Sequence, residues 1–256
     1  DVAPSRGLGD VYKRQEILGA TVRTEIGRPA NLFYGYKAQG VFSTSAEAQA
    51  AGLYIHDDNG VDRTAFEAGD MHFADLDGDH FITEADRMVI GDPNPDIYGN
   101  IFTSVQYRRL RLDVRFNYSL GNDIYNYTRQ QLESGSRFMN QTTALARRWQ
   151  MEGQQTDIPR LSFQDPMGNS RFSDRWIEDG SYLRLKTVTL SYDLPVSSTF
   201  LQGLQFWVQA NNVVTLTRYL GSDPEGTALS AVLGQGIDAG SLPQSRNFMV
   251  GIKINL

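Results

Sequence analysis

The sequence predicts an all-β fold built from long antiparallel strands, and three features of the chain support this prediction. Aromatic residues make up 11% of the 256 residues and there are 24 glycines, a composition typical of strands joined by many turns. Several stretches alternate between apolar and polar residues, which is the period of a β-strand. The connections between these stretches alternate along the chain between short and long.

The charge and the residue types exclude several functional classes. A net charge of -6 argues against nucleic-acid binding, which requires a basic face. Cysteine is absent, and the three histidines lack the spacing of a metal motif such as HExxH. Glu178 and Asp179 are adjacent on a predicted strand, so their side chains point to opposite faces and cannot flank one glycosidic bond. We therefore predict that the chain is not an enzyme.

We expect the N-terminal segment to differ in origin from the rest of the chain. Residues 10–15, DVYKRQ, resemble the translated end of a transposon used to build sequencing libraries. We therefore expect residues 1–15 to be an adapter artefact and not native sequence. The native part, residues 16–256, would then begin inside a domain, which makes the chain a fragment.

An acidic stretch within residues 69–96 is the most informative motif. Its aspartates occupy positions 1, 3, 5 and 12 of a calcium loop of the EF-hand type, and Ile82 at position 8 would anchor the loop in apolar packing. The match departs at His80, where a sharp turn favours glycine, and at position 12, where glutamate is usual. The predicted Ca²⁺ ligands, all of which offer oxygen atoms, are Asp75, Asp77, Asp79, Phe81 through its carbonyl, Thr83 and Asp86.

The same acidic stretch also fits a simpler structure without a metal. Its residues could form an Asp-rich turn followed by a short helix that Thr83 caps. The double-proline run at residues 90–96 then excludes a following helix and leads into a strand. The loop is therefore predicted to stand on a β-protein.

Five stretches have the alternation of strands. In the clearest, residues 110–119, one face is apolar and the other is charged or polar. Such a strand fits a soluble sandwich with a core or a barrel with a lipid face, and periodicity alone does not separate them. In one stretch Arg184 and Lys186 share the apolar face, as if half the strand stood outside the apolar zone. The stretches are Tyr98–Tyr107, Leu110–Ser119, Ser181–Tyr192, Leu204–Thr215 and Phe248–Leu256.

The lengths of the connections favour the barrel. Arg108–Arg109 and residues 193–203 are short, whereas residues 42–96, 121–180 and 219–245 are long. Loops above about 15 residues are uncommon in compact domains. Short periplasmic turns and long extracellular loops are normal in outer-membrane barrels, and the apolar alternation up to Leu256 fits a final barrel strand. We therefore predict an antiparallel transmembrane β-barrel with long extracellular loops, in the outer membrane of a Gram-negative bacterium.

Six stretches in order resemble the SusC/RagA family of TonB-linked outer-membrane receptors, and together they span the chain from about Ala30 to Leu256. They are Phe33–Lys37 with Gly40–Phe42, the Asp75 loop with Ile90–Pro95, Gly121–Asn126, Ser181–Lys186, Asn211–Asn212 and Gly236–Asp238. The resemblance implies the C-terminal portion of a large barrel that imports glycans or peptides with energy from the TonB complex. It also implies a SusD-like surface lipoprotein as a lid, and TonB contacts through an N-terminal part that this chain lacks.

Two tryptophans and the calcium loop are the candidate sites of such a fragment. Trp149 and Trp176 lie beside arginines in the long segment 121–180 and could stack on a sugar ring, although a tryptophan also anchors a loop by burying area. A bound Ca²⁺ would stiffen the Asp75 loop where the lid docks. The alternative function is a soluble calcium-dependent β-sandwich that binds carbohydrate, in which a second sheet buries the apolar strand faces.

Overall fold

The computed structural model describes residues 12–56, 62–196, 200, 202–226 and 234–255. Among these residues, no helix has the length and apolar character needed to cross a membrane. The strands are β1 (Tyr12–Ile17), β2 (Ala20–Glu25), β3 (Leu32–Tyr36), β4 (Ala38–Val41), β5 (Tyr54–His56), β6 (Arg63–Ala65), β7 (Met71–Phe73), β8 (Arg87–Gly91), β9 (Ile97–Tyr107), β10 (Leu110–Leu120), β11 (Asp123–Asn126), β12 (Ile177–Asp179), β13 (Tyr182–Leu194), β14 (Gly203–Thr217), β15 (Ile237–Asp238) and β16 (Asn247–Asn255). The helices are α1 (Ser45–Ala51) and α2 (Tyr127–Glu133), with 3-10 turns at Glu84–Asp86, Thr143–Arg147 and Asp174–Trp176.

The chain divides into two compact units. The sheet unit contains Pro95–Asn122, Asp179–Gly226 and Ser241–Leu256. The loop unit contains the chain up to Asn94, together with Asp123–Glu178 and Thr227–Gly240. The predicted all-β fold is confirmed, because long strands dominate the first unit and short strands the second.

The sheet unit is one antiparallel sheet of five strands in the order β16-β14-β13-β10-β9. Its strands pair so that apolar side chains form continuous rows across one face. One such row contains Val105, Leu112, Leu190, Val208 and Val250, which lie directly opposite one another and are 38% to 78% exposed. The described residues therefore leave this face of the sheet open.

The opposite face of the sheet is largely polar. The row beside the one above contains Gln106, Arg111, Ser191, Trp207 and Gly251. The Trp207 ring covers Gly251 and leaves no room for a side chain at that position. The predicted division of each strand into an apolar and a polar face is confirmed.

Short and long connections leave the sheet at opposite ends. Leu110 lies opposite both Tyr107 and Tyr192, so the turn at Arg108–Arg109 and the segment after β13 share one end. The strand ends that lead into residues 121–181 and 218–246 lie at the other end. This arrangement matches the predicted alternation of connections.

A β-bulge at Lys186 changes the facing of β13 and corrects one expectation. The pairing of β13 with both neighbours shifts register there, and Asn212 on β14 has a left-handed φ of 52°, which asparagine tolerates. Because of the bulge, Leu185 continues the apolar face of Val188, while Arg184 turns to the polar face. The explanation that half the strand stands outside the apolar zone is therefore wrong.

The loop unit has its own hydrophobic cores, so the long connections are folded. Its sheets have the orders β1-β2-β3-β8 and β12-β11-β15, with the pairs β4-β7 and β5-β6 beside them. One core contains Tyr36, Phe42, Ala48, Leu53, Phe66, Met71, Phe73, Ile82 and Met167, which confirms the predicted anchoring role of Ile82. The second contains Ala20, Val22, Phe33, Tyr125, Phe172, Trp176 and Ile237.

Strand β1 includes part of the predicted adapter segment. Arg14 donates hydrogen bonds to both carboxylate oxygens of Glu84, at 2.9 and 3.0 Å. Residues 1–11 lie outside the described residues, as does Leu256. The foreign origin of residues 1–15 therefore stays a prediction.

Candidate functional site

The acidic loop begins with a turn around the carboxylate of Asp75. Its Oδ1 accepts a hydrogen bond from the Gly78 amide at 2.7 Å, and its Oδ2 accepts one from the His80 amide at 2.9 Å. Gly78 and His80 have φ values of 77° and 68°, so both occupy the left-handed region. His80 thus makes the sharp turn for which glycine was expected, at a cost of about 1 kcal/mol.

Asp86 closes the loop from its other end. Its fully buried carboxylate accepts the Leu76 amide at 2.8 Å and the Thr83 amide at 2.7 Å. Carboxylate oxygen atoms of Asp75, Asp77 and Asp86 lie within 4.8 Å of one another. The structure therefore brings together three of the four predicted carboxylate ligands.

The pKa of Asp77 reflects crowding of negative charge in this group. The hydrogen bond from the Asp79 amide lowers the pKa of Asp77, but desolvation and repulsion by the carboxylates of Asp79, Asp86 and Asp75 raise it more. Burial opposes ionisation of Asp75, yet the amides of Gly78 and His80 lower its pKa overall. A cation would relieve the repulsion at Asp77.

Two other predicted ligands, Asp79 and Thr83, make local hydrogen bonds beside this group. Asp79 lies outside it, and its Oδ1 accepts the Phe81 amide at 2.7 Å. Thr83 caps the 3-10 turn at Glu84–Asp86, and its Oγ1 accepts the Ala85 amide at 3.2 Å. The capped short helix of the simpler alternative is therefore present beside the grouped carboxylates.

Trp176 is a core residue of the loop unit. Its ring is fully buried, and its Nε1 donates to the Arg171 carbonyl at 3.2 Å. The guanidinium carbons of Arg129 and Arg175 lie 5.6 and 4.3 Å from its ring centroid. No exposed face remains for a sugar ring, which corrects the expectation of ligand stacking at this residue.

Trp149 is half-buried and packs against Ser43 and Gly69 of the loop unit. Its Nε1 donates to the Ser43 carbonyl at 3.1 Å, and its amide donates to the Ile158 carbonyl at 2.9 Å. The ring covers Gly69, where an added Cβ would lie 2.5 Å from Cε3. These contacts give Trp149 a structural role, and its contact with a ligand stays a prediction.

A pair of exposed aromatic rings in the loop unit was not predicted from the sequence. The ring centroids of Phe138 and Phe163 are 5.0 Å apart, and the residues are 94% and 59% exposed. Phe163 lines an open cleft of about 490 Å³, together with Arg137, Asp165 and Arg171 among others. The polar neighbours Arg137, Ser162 and Gln164 were the available sequence signal that these two rings are exposed.

The known proteins that are similar in sequence to this chain are TonB-dependent receptors. No family model matches it. The chain is 32% identical over 236 residues to TonB-dependent receptor P3 of Formosa agariphila and 28% identical over 247 residues to TonB-dependent receptor P26 of the same organism. These alignments cover 89% and 93% of the chain but only 22% and 24% of the two relatives.

Solved structures share the fold. The RagAB peptide transporter aligns with a TM-score of 0.72 at 23% identity, over 96% of this chain and 24% of that one. The RagAB peptide importer in its closed-closed state aligns with a TM-score of 0.67 at 24% identity, over 96% and 25% of the two chains. The relative that is 32% identical over 89% of the chain shows that the chain belongs to the TonB-dependent receptors, and the solved structures show that its all-β fold is part of a receptor barrel.

Proposed function

We propose that the chain forms part of the wall and the outward loops of a TonB-dependent importer in the outer membrane of a Gram-negative bacterium. The observation that carries this proposal is the open apolar face of the sheet unit, where Phe248 and Val250 are each 78% exposed. In a barrel this face contacts lipid and the polar face lines the lumen. The two relatives of Formosa agariphila support the assignment by their names.

Aromatic residues at one end of the apolar face support a membrane boundary there. Tyr107, Tyr192 and Phe206 lie in one row across the sheet, next to the short turns, and are 68%, 43% and 41% exposed. Barrels carry such aromatic girdles at both membrane interfaces. The short turns would then be periplasmic and the acidic loop extracellular.

The cargo we propose is a glycan or a peptide, delivered beneath a SusD-like surface lipoprotein. The RagAB structures are of a peptide importer, which supports the peptide class by analogy of fold alone. The TonB complex would act through parts of the receptor outside this chain. A soluble β-sandwich, in contrast, needs a second sheet over the apolar rows, and such a protein would stay monomeric without detergent.

Uptake by cells tests the importer directly. We expect deletion of the receptor gene to abolish accumulation of one class among fluorescent oligosaccharides and oligopeptides, and deletion of tonB to do the same. Complementation with the full-length gene is the control. Unchanged accumulation of both classes in the receptor deletion would contradict the proposal.

We further propose that the carboxylates of the acidic loop bind Ca²⁺. The oxygen atoms fit a hard cation, because a carboxylate offers about four lone-pair sites and each amide bond occupies only one. Asp75, Asp77 and Asp86 would be the main ligands, with Asp79, the Phe81 carbonyl and Thr83 completing the shell after local adjustment. The ion would stiffen the loop at the surface where the lid docks.

Limited proteolysis of the full-length receptor tests the calcium proposal. We expect Ca²⁺ to protect residues 69–96 from cleavage and a chelator to remove the protection, since the ion neutralises crowded carboxylates. Asp77→Asn should abolish the calcium effect, whereas Glu84→Gln, next to the group but outside it, should preserve it. Equal cleavage and equal lid binding with and without chelator would refute the site.

A further inference from the structure

The open cleft of the loop unit combines a fixed backbone with aromatic and cationic side chains. It lies between residues 136–137 and residues 163–171 and has a volume of about 490 Å³. The Gln164 amide donates to the Ser136 carbonyl at 2.9 Å, which joins its two sides. This volume is in the range of pockets that hold small ligands.

The backbone at the edge of the cleft is strained and held in place. Gln164 and Asp165 have φ values of 63° and 50°, two consecutive residues in the left-handed region. The Asp165 carboxylate accepts the amides of Asn169 and Ser170, each at 2.7 Å, and the Ser170 hydroxyl at 2.5 Å. Such strain costs about 1–3 kcal/mol per residue and is concentrated at binding and switch sites.

The guanidinium groups of the cleft form no close ion pair within the described residues. Arg171 donates to the carbonyls of Gly168 at 2.9 Å and Met167 at 2.7 Å, and it stands over the Phe73 ring at 4.8 Å. Arg137 is exposed and makes no ion pair in the part of the chain that the structure describes. The lining contains two guanidinium groups, of Arg137 and Arg171, and one carboxylate, of Asp165, so positive charge is in excess and favours an anion.

We propose that this cleft binds a carboxylate-bearing ligand. The exposed guanidinium of Arg137 would hold the carboxylate by two parallel hydrogen bonds. The ring of Phe163, backed by Phe138, would pack against the apolar face of the ligand. The assignment deepens the proposed importer, on which it rests for the fate of the ligand, by naming an acidic group on the cargo: a uronic acid or an acidic peptide residue.

Calorimetric titration of the full-length receptor in detergent tests the cleft. The probes are trigalacturonate with its uncharged methyl ester, and triglutamate with triglutamine. One acid should bind at least about 10-fold more tightly than its neutral counterpart, since the carboxylate gains a charge-assisted bond. Arg137→Gln should remove that difference, while Arg147→Gln, an exposed arginine that does not line the cleft, should preserve it. Phe163→Ala should weaken the acid and its neutral counterpart by about the same factor.

The outcomes of this titration test ligand binding in the cleft independently of the proposed import. Preference for trigalacturonate identifies a uronate ligand, and preference for triglutamate identifies a peptide. Equal binding of acids and neutral counterparts, no binding of either acid, or equal effects of the two arginine variants would overturn the cleft. Because the titration needs no TonB, intact binding with absent uptake would count against the importer alone.

Discussion

Gly69 illustrates how one residue position fixes a packing contact in the loop unit. Its φ is 87°, its amide donates to the Phe42 carbonyl at 2.8 Å, and the Trp149 ring lies directly over it. Glycine is needed here for both the backbone conformation and the close approach of the ring. At Gly78, where φ is 77°, nothing lies within 4 Å of an added Cβ, so only the conformation requires glycine.

Comparing two glycine substitutions separates these effects. We expect Gly69→Ala to destabilise the loop unit by about 2–4 kcal/mol, from backbone strain together with overpacking. Gly78→Ala should cost about 1 kcal/mol, from strain alone. The measurement is the rate of proteolysis at residues 42–70 in the folded receptor. Equal rates for the two variants would show that the Trp149 contact does not constrain the unit.

At the scale of elements, Arg184 joins strand β13 to the segment that follows β14. Its buried guanidinium contacts Asp223 at 2.5 Å and Glu225 at 2.6 Å. The Gln244 amide donates to the second Asp223 oxygen at 3.0 Å, and Lys186 donates to Gln244 Oε1 at 2.6 Å. The bulge places Arg184 on the polar face, where these partners are.

Removing Arg184 should release this segment. Arg184→Met leaves Asp223 buried without its cation, a loss of about 3–5 kcal/mol, so we expect faster proteolysis within residues 218–246. Arg184→Lys should restore part of the protection, because it keeps the charge but loses the paired donors. Arg111→Met, which breaks an exposed ion pair of the same sheet, is the control. Protection unchanged in Arg184→Met would contradict this role.

The contact between Arg184 and Asp223 also determines how the protection of this segment depends on pH. Burial raises the pKa of Asp223, but the Gln244 amide, the Arg184 guanidinium and the Glu225 amide together lower it overall. A carboxyl with a depressed folded pKa contributes stability above its unfolded value of about 3.9. We therefore expect protection of residues 218–246 to persist at neutral pH and to fall only below about pH 4.

Pattern analysis could predict the strands of the sheet but not the bulge. Alternation of residue types determines a strand and its two faces. The predicted ends of all five strands of the sheet agree with the structure to within two residues. The bulge broke the alternation at Lys186, and only pairing with β10 and β14 reveals it. The sequence shows the switch in alternation, but it does not show that the switch faces the Asn-Asn pair of β14, which tolerates a left-handed backbone.

At the scale of the whole molecule, the loop unit was the part that sequence could not define. Its second core joins Phe33, Tyr125 and Ile237, which are distant in sequence and share no period. The acidic loop was found because its ligands are close together in the chain, whereas the cleft at Arg137 depends on contacts across the unit. Local patterns thus identify strands and short motifs, and tertiary packing decides the rest.

The direction in which the open apolar face points is best measured by spin labels on β14. The chain has no cysteine, so single cysteines introduced one at a time at residues 204–210 are the only thiols in this part of the receptor. The labels are measured in the full-length receptor in lipid, with any cysteine elsewhere replaced by serine. We expect labels at residues 204, 206, 208 and 210 to collide mainly with oxygen in lipid, and labels at 205, 207 and 209 mainly with a water-soluble nickel chelate. A strand without this alternation, or even-numbered positions shielded from both reagents as in the core of a sandwich, would contradict a barrel wall.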